Sequence, residues 1–426
     1  MKLAEVFNEV YYRLLNLAPA RPPEPKIALV LGGGGARSAY QIGVLKYLAE
    51  AFPNLQFPLL SGVSAGAINV AHLANAPLPF DEATNRLAEL WYELSAERVY
   101  QEESSLALVW NFFRGGNSGS SDDGVGGSGT RSLLDTSPLR EMLAQHLIPH
   151  EDRLVGIGHK IAHSDLEAVA IATTNYSTGQ TVTWIEGREI ELWERPNRIS
   201  VNCRLTLDHV MASAAMPLMF PAVRIGDAWH GDGGVRLESP LSPAIHLGAT
   251  HVLVVSTRYD RNRMEADEPT VEGYPPTAQI LGILMDAIFL DALDQDALHM
   301  ERVNSLIGQL PQHRRLGLRP VSLLQIRPSI DLGKLAAEYE MDLPRSMRLL
   351  VRGFGSHETK SPDWLSMLLF DPAYIRRLID LGYADAHDQY RHIERFLQSA
   401  LAGDGLPRAA RPADPVPESL PAPPES

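Results

Sequence analysis

The stretch Pro58-Leu59-Leu60-Ser61-Gly62-Val63-Ser64-Ala65-Gly66-Ala67-Ile68-Asn69 leaves the chain few ways to fold. A short apolar run ends at Gly62, a serine stands two residues on, and Gly66 opens a run of good helix formers. The order reads as strand, tight turn, helix. The G-x-S-x-G spacing sets the serine on a strained elbow with its hydroxyl at the top of a sheet. Side chains at Gly62 and Gly66 would collide with the neighbouring strand and helix. The Ser64 backbone has to adopt a costly φ/ψ that only a packed surround can hold. Ser64 also opens a helix, where N–H groups and the dipole favour developing negative charge. Alone, the pattern also fits an ordinary glycine-rich turn in which Ser64 merely caps the helix, so its surroundings have to decide.

Upstream, Ile27-Ala28-Leu29-Val30-Leu31 reads as a fully buried strand, from its unbroken apolar content. Gly32-Gly33-Gly34-Gly35 follows, then a helix over Ala39 to Phe52 with Ile42, Val44, Leu45 and Leu48 on its buried side. This is the first βα unit of a parallel sheet. Four consecutive glycines let backbone N–H groups approach an anionic group without a Cβ in the way. A P-loop needs a lysine that is missing here. A dinucleotide fingerprint needs a final glycine where Arg37 or Ser38 stands. The third reading is an oxyanion hole. Adjacent parallel strands would bring this loop and the Ser64 elbow to one sheet edge, where α/β sites lie.

Three pieces then fall in order: Gly33-Gly34-Gly35-Ala36-Arg37, Gly62-Val63-Ser64-Ala65-Gly66 and Asp232-Gly233-Gly234. From Ile27 to Ser256 the chain resembles the patatin-like phospholipases, with their G-G-G-x-R-G loop, G-x-S-x-G elbow and D-G-[GA] turn. The resemblance implies a three-layer α/β/α fold with a mainly parallel central sheet. It implies a serine acyl hydrolase acting on fatty-acyl esters of phospholipids or related lipids, without a cofactor. It makes Ser64 the nucleophile, Asp232 the base acting without histidine, and Gly33, Gly34 and Gly35 the oxyanion hole. Gly62, Gly66, Gly233 and Gly234 support them. Arg37 steadies the glycine loop, attracts an anionic head group, or is a plain helix N-terminal residue, where a cation is mildly unfavourable. Ser38 departs from the family's glycine: it strains the loop if that position needs φ > 0 and is harmless if only close packing is required. Without the resemblance, Asp232 also reads as a plain turn residue.

A Ser-His-Asp triad is the rival mechanism, with His246, His251 and His299 after Asp232, and His230 two residues before it. None stands in a recognisable histidine loop, and no cluster has metal-ligand spacing. Two rival functions remain: a nucleotide-binding protein using the glycine loop, and a catalytically weak scaffold with partner-binding C-terminal helices.

Composition bounds the rest. The 426 residues suffice for a large core, and a net charge of −14 argues against nucleic acid as partner and against simple attachment to anionic lipid. One cysteine, Cys203, excludes an intrachain disulfide and suggests a reducing compartment, the cytoplasm. The first residues lack a signal-peptide core, and no apolar run is long enough to span a bilayer.

Residues 1–26 read as an amphipathic helix and linker, packed on the domain or lying at a lipid interface, and residues 27–258 as the α/β hydrolase domain. Within it, the apolar stretch 106–113 precedes a Gly/Ser-rich loop, 115–130, too poor in apolar residues to pack. Residues 259–402 read as an α-rich region with one added strand, including a single long helix from Thr277 to Gln309, and 403–426 as a disordered Pro/Ala-rich tail.

Overall fold

In the computed structural model, Ile27–Leu31 forms the first strand (β1), buried at every position as its apolar run requires. The model describes residues 25–102, 132, 134–261, 264–265, 274, 277–311, 314–315, 318–342 and 363–400. The N-terminal helix, the stretch 106–113, the loop 115–130 and the tail 403–426 expected from sequence lie outside the described residues, as does most of a helix expected over 341–352.

After β1 come α1 (Ala39–Ala51), β2 (Leu59–Val63), α2 (Ala65–Asn75), α3 (Phe80–Tyr92) and α4 (Ala96–Val99). Then follow β3 (Gln101–Glu102), β4 (Leu134–Asp135), α5 (Ser137–Leu147), α6 (Val155–His163), β5 (Ala168–Asn175) and β6 (Thr181–Gly187). Next are β7 (Glu194–Arg195), β8 (Arg198–Asn202), α7 (Leu207–Ser213), β9 (Val223–Ile225) and β10 (Ala228–Asp232). The C-terminal part holds α8 (Ser242–His246), β11 (His251–Val255), α9 (Thr277–Phe289), α10 (Asp291–Gln309), β12 (Ser322–Ile326), α11 (Leu332–Ala337), α12 (Asp363–Leu368), α13 (Pro372–Asp388) and α14 (Tyr390–Ala400).

The main sheet runs β12-β11-β1-β2-β5-β6-β8-β7, and the five strands from β12 to β5 are parallel. Antiparallel β6 continues from β5 through the hairpin that the sequence predicts around Ser177-Thr178-Gly179. Strand side chains alternate between two cores. Ile27, Leu29 and Leu31 join the large core with α1, α2, α3 and α13, while Ala28 and Val30 join a second core with α8 and α10. The architecture is therefore three-layer α/β/α, with helices gathered at the C-terminal end.

Several boundaries differ from expectation. The single helix over Thr277 to Gln309 is broken at Leu290, where Phe289 and Leu290 turn into the core and Asp291 and Asp294 open a new first turn. The sequence predicts a helix over Phe80 to Ser95, and α3 stops at Tyr92. Ser137, which before Pro138 reads from sequence as a helix cap, is the first helical residue of α5, its N–H and hydroxyl both donating to Asp135. Sequence periodicity missed α6, whose two glycines lower helix propensity. A Cβ on Gly156 would lie 1.8 Å from the Asn75 carbonyl oxygen, so α6 needs that glycine to pack on the end of α2.

The crossing of α1 and α13 is as close. A Cβ on Gly43 would lie 1.9 Å from the Ile379 carbonyl oxygen, and one on Gly382 would lie 2.0 Å from that of Tyr40. Gly43→Ala is expected to destabilise by roughly 3 kcal/mol through overpacking against backbone, about 3 °C in thermal melting. A melting temperature within 1 °C of wild type would mean that the helices can separate freely.

Candidate active site

Strand register brings the sequence motifs together. On one side β5 pairs with β6 over its length. On the other it pairs with β2 up to Val63 opposite Ala172, and then with β10, whose last residue Asp232 lies opposite Thr173. The parallel β2 and antiparallel β10 thus meet end to end on adjacent residues of β5. Ser64 leaves one strand where Asp232 ends the other.

Ser64 has φ 57° and ψ −133°, a conformation that L-residues avoid. It occupies the N-cap position of α2, yet its side chain makes no capping hydrogen bond. The plain N-cap reading therefore leaves the hydroxyl without a role. The backbone is held firmly. Ser64 N–H donates to Ser213 Oγ at 3.0 Å, and that hydroxyl donates to the Ala172 carbonyl at 2.7 Å. A Cβ on Gly66 would lie 2.3 Å from the Leu31 carbonyl oxygen, and one on Gly62 would lie 2.5 Å from that of Gly66. Both glycines are required by close approach, to strand and helix respectively.

Asp232 is fully buried. Oδ1 accepts from Gly234 N–H at 2.9 Å, while Oδ2 has no hydrogen-bond partner among the described residues. Burial pushes the carboxyl pKa up to about 7, against the opposing pull of the Ser64 hydroxyl and the Gly234 N–H. The hydroxyl is thus close enough to act on the carboxyl, though no bond of full geometry reaches Oδ2. Contacts of this kind often tighten only when a substrate is bound. Asp232 N–H donates to the Ala215 carbonyl at 3.0 Å, and Thr174 Oγ1 donates to the Asp232 carbonyl at 2.8 Å. Gly233 packs on the elbow, since a Cβ there would lie 2.9 Å from Val63 Cγ2.

The glycine loop lies against Ser64: a Cβ on Gly33 would be 2.9 Å from the Ser64 Cβ. Gly34 and Gly35 have φ of 144° and 56°, which a residue with a Cβ could not adopt cheaply. Thr257 Oγ1 donates to the Gly33 carbonyl at 2.8 Å. A buried chain, Trp91 Nε1 to Asn69, Asn69 to Gln41, and Gln41 to the Gly32 carbonyl, runs at 2.8 Å in each step. Arg37 is buried, and its guanidinium donates to Ser366 on α12. That contact fits an Arg37 that steadies the loop rather than one reaching for a head group. Ser38 has φ −68°, so serine in the family's glycine position brings no backbone strain.

The family profile for patatin, described as patatin-like phospholipase, matches residues 29–245, just over half of the chain. The chain belongs to the patatin-like phospholipase family. No curated protein sequence matches it. Among solved structures, human GIVD cytosolic phospholipase A2, in complex with methyl gamma-linolenyl fluorophosphonate, is similar at 13% identity and a TM-score of 0.42. The match covers 91% of this chain and 61% of that one, so this chain spans about three fifths of its length. VipD from Legionella pneumophila is similar at 14% identity and a TM-score of 0.28, over 90% of this chain and 78% of its own. Full-length ExoU from Pseudomonas aeruginosa is similar at 18% identity and a TM-score of 0.21, over 38% of this chain and 35% of its own.

In this patatin-like chain a narrow apolar slot opens beside Ser64 and Gly35, with Trp91, Met142, Phe220 and Met367 among its walls and a volume of about 30 Å³. The candidate histidines lie elsewhere. His230 Nδ1 sits 3.0 Å from Thr173 Oγ1, with its ring edge-on to Trp184. His246 stacks on Trp193, and His251 starts β11, at the opposite end of the sheet from Ser64. His299 is exposed on α10. No hydrogen bond joins Ser64 to a histidine among the described residues. Nor do they hold a His/Cys/Asp/Glu group suited to a metal, or a helix long and apolar enough to cross a membrane. Sequence reasoning missed Ser213, Thr257, Gln41, Asn69 and Ser366. A small or amide side chain of this kind carries no local signal, because its partner is set by tertiary contact.

Proposed function

We propose that this chain is a serine acyl hydrolase that cleaves fatty-acyl esters of phospholipids or related lipids through Ser64 and Asp232. The observation that carries the proposal is the end-to-end meeting of a strained serine elbow with a buried carboxyl of pKa about 7. A base poised near the working pH is what serine activation needs.

In the proposed sequence Ser64 Oγ attacks the ester carbonyl carbon as its proton passes to Asp232. The carbonyl oxygen becomes an oxyanion facing the N–H groups of Gly33 to Gly35 and the N-terminus of α2. The C–O bond to the leaving alcohol then breaks, and the alcohol takes the proton from Asp232. Water attacks the acyl-enzyme, Asp232 accepts its proton, and the proton returns to Ser64 as the fatty acid leaves. The apolar slot beside Ser64 suits the acyl chain. The substrate is a lipid or phospholipid, and the reaction needs no cofactor.

Incubation with a fluorophosphonate probe, followed by peptide mapping, tests this reading. The expected result is covalent labelling of Ser64 with loss of fluoride. Labelling at Ser61 or Ser38 instead, both buried, would end the elbow argument. No labelling at all of folded protein would favour the scaffold reading.

A further inference from the structure

The wall that closes the slot beside Ser64 comes partly from outside the family match. Met367 and Phe370, in the segment that carries α12, line the slot together with residues of α2, α3 and α5. Three contacts fix where this segment sits. The Met367 carbonyl oxygen lies where a Cβ on Gly35 would be, 2.2 Å away. Ser366 accepts the Arg37 guanidinium, and Tyr100 donates to the Leu368 carbonyl at 3.3 Å. Phe370 packs on Tyr100, with ring centroids 6.3 Å apart.

The slot is narrow and its lining is almost wholly apolar. An acyl chain therefore enters only as far as its walls give way. Met367 and Phe370 belong to the same core as α2, α3 and α5, but the Met367 thioether is unbranched and adaptable. Met367 touches the glycine loop as well as the slot, so it borders the first acyl carbons. Phe370, two residues past the end of α12 and packed on Tyr100 rather than on the glycine loop, borders the later ones.

We propose that Met367 and Phe370 set which acyl chains the site accepts, so that specificity is written by a segment beyond the 29–245 match. The proposal rests on the acyl-hydrolase reading above. The geometry assigns the near end of the chain to Met367 and the far end to Phe370.

The test is kcat/KM of the full-length protein on p-nitrophenyl acetate, butyrate, octanoate and laurate, for wild type, Met367→Ala and Phe370→Ala. Each extra buried methylene is worth about 4-fold. Room for two more predicts that Phe370→Ala raises the laurate-to-butyrate ratio about 15-fold. Met367→Ala raises the butyrate-to-acetate ratio by a similar factor. If an alanine variant does not fold, Met367→Val and Phe370→Leu remove less volume and carry the same comparison at about 4-fold. Profiles parallel to wild type within about 2-fold would overturn the proposal. So would equal loss on all four esters with Ser64 still labelled by fluorophosphonate, which would leave the segment a brace alone. Failure of the acyl-hydrolase reading has a different signature, since wild type would then neither hydrolyse any of the esters nor label at Ser64.

Discussion

Ser64→Ala is expected to lower ester turnover by up to about a million-fold, the scale seen when a serine nucleophile is removed, with little change in stability. Alanine keeps the backbone contacts that hold the elbow, because Ser213 accepts from the residue 64 N–H and Ala67 N–H donates to its carbonyl. It also keeps the strain, since alanine tolerates φ 57° no better than serine does. Ser64→Gly is the informative companion. Glycine relieves a backbone cost of about 1–3 kcal/mol, so this variant should be as inactive as Ser64→Ala but melt about 1–3 °C higher. Turnover and thermal melting of the three proteins decide the matter. Residual turnover above about 1% in Ser64→Ala would remove Ser64 from the mechanism. Equal melting of the alanine and glycine variants would show that the elbow stores no strain.

The parts of the site legible in the sequence are those set by local chemistry. The apolar runs at Ile27–Leu31 and His251–Val255 can only be covered strands, and they are. The glycines at 62 and 66 announce close approach, and the backbone contacts of both bear this out. The meeting of Ser64 with Asp232 was not legible from spacing, because it depends on two strands sharing one side of β5 in consecutive register. Family resemblance alone pointed to it. Ser213 was out of reach for the same reason. It sits at the end of α7, and its value lies in touching Ser64 and β5 at once. Arg37 was legible as unusual, a cation near a helix start. Its partner Ser366 lies 329 residues away in a segment with no motif. The break at Leu290 escaped because periodicity sees the apolar face of α9 and α10 but not the turn that buries Phe289 against Gly234.

Asp232→Asn is expected to abolish activity nearly as completely as Ser64→Ala, and to do so while stabilising the protein at neutral and higher pH. Asparagine keeps the shape and can still accept the Gly234 N–H, but it cannot take a proton from Ser64. If the two residues act as one unit, the double variant will be little worse than either single one. In the wild type, activity should rise with pH through about 7, falling tenfold per pH unit below it, as Asp232 becomes protonated.

Stability runs the other way. The folded-state pKa of about 7 lies above the unfolded value near 3.8, so the folded state holds this proton more tightly than the unfolded chain does. That advantage is fully present below pH ~4 and is lost as pH rises through ~7, where the folded protein must carry a buried charge. Relative to wild type, Asp232→Asn should therefore gain stability between those limits, on the order of a few kcal/mol by pH 8. Urea unfolding of both proteins at pH 4.5 and pH 8 measures the change. A stability difference that does not move with pH would mean that Asp232 titrates normally and is no poised base. Alanine replacements at His230, His246, His251 and His299 should each cost less than about tenfold, or ~1.4 kcal/mol of barrier. A single folded histidine variant as inactive as Ser64→Ala would replace the serine–aspartate pair with a triad.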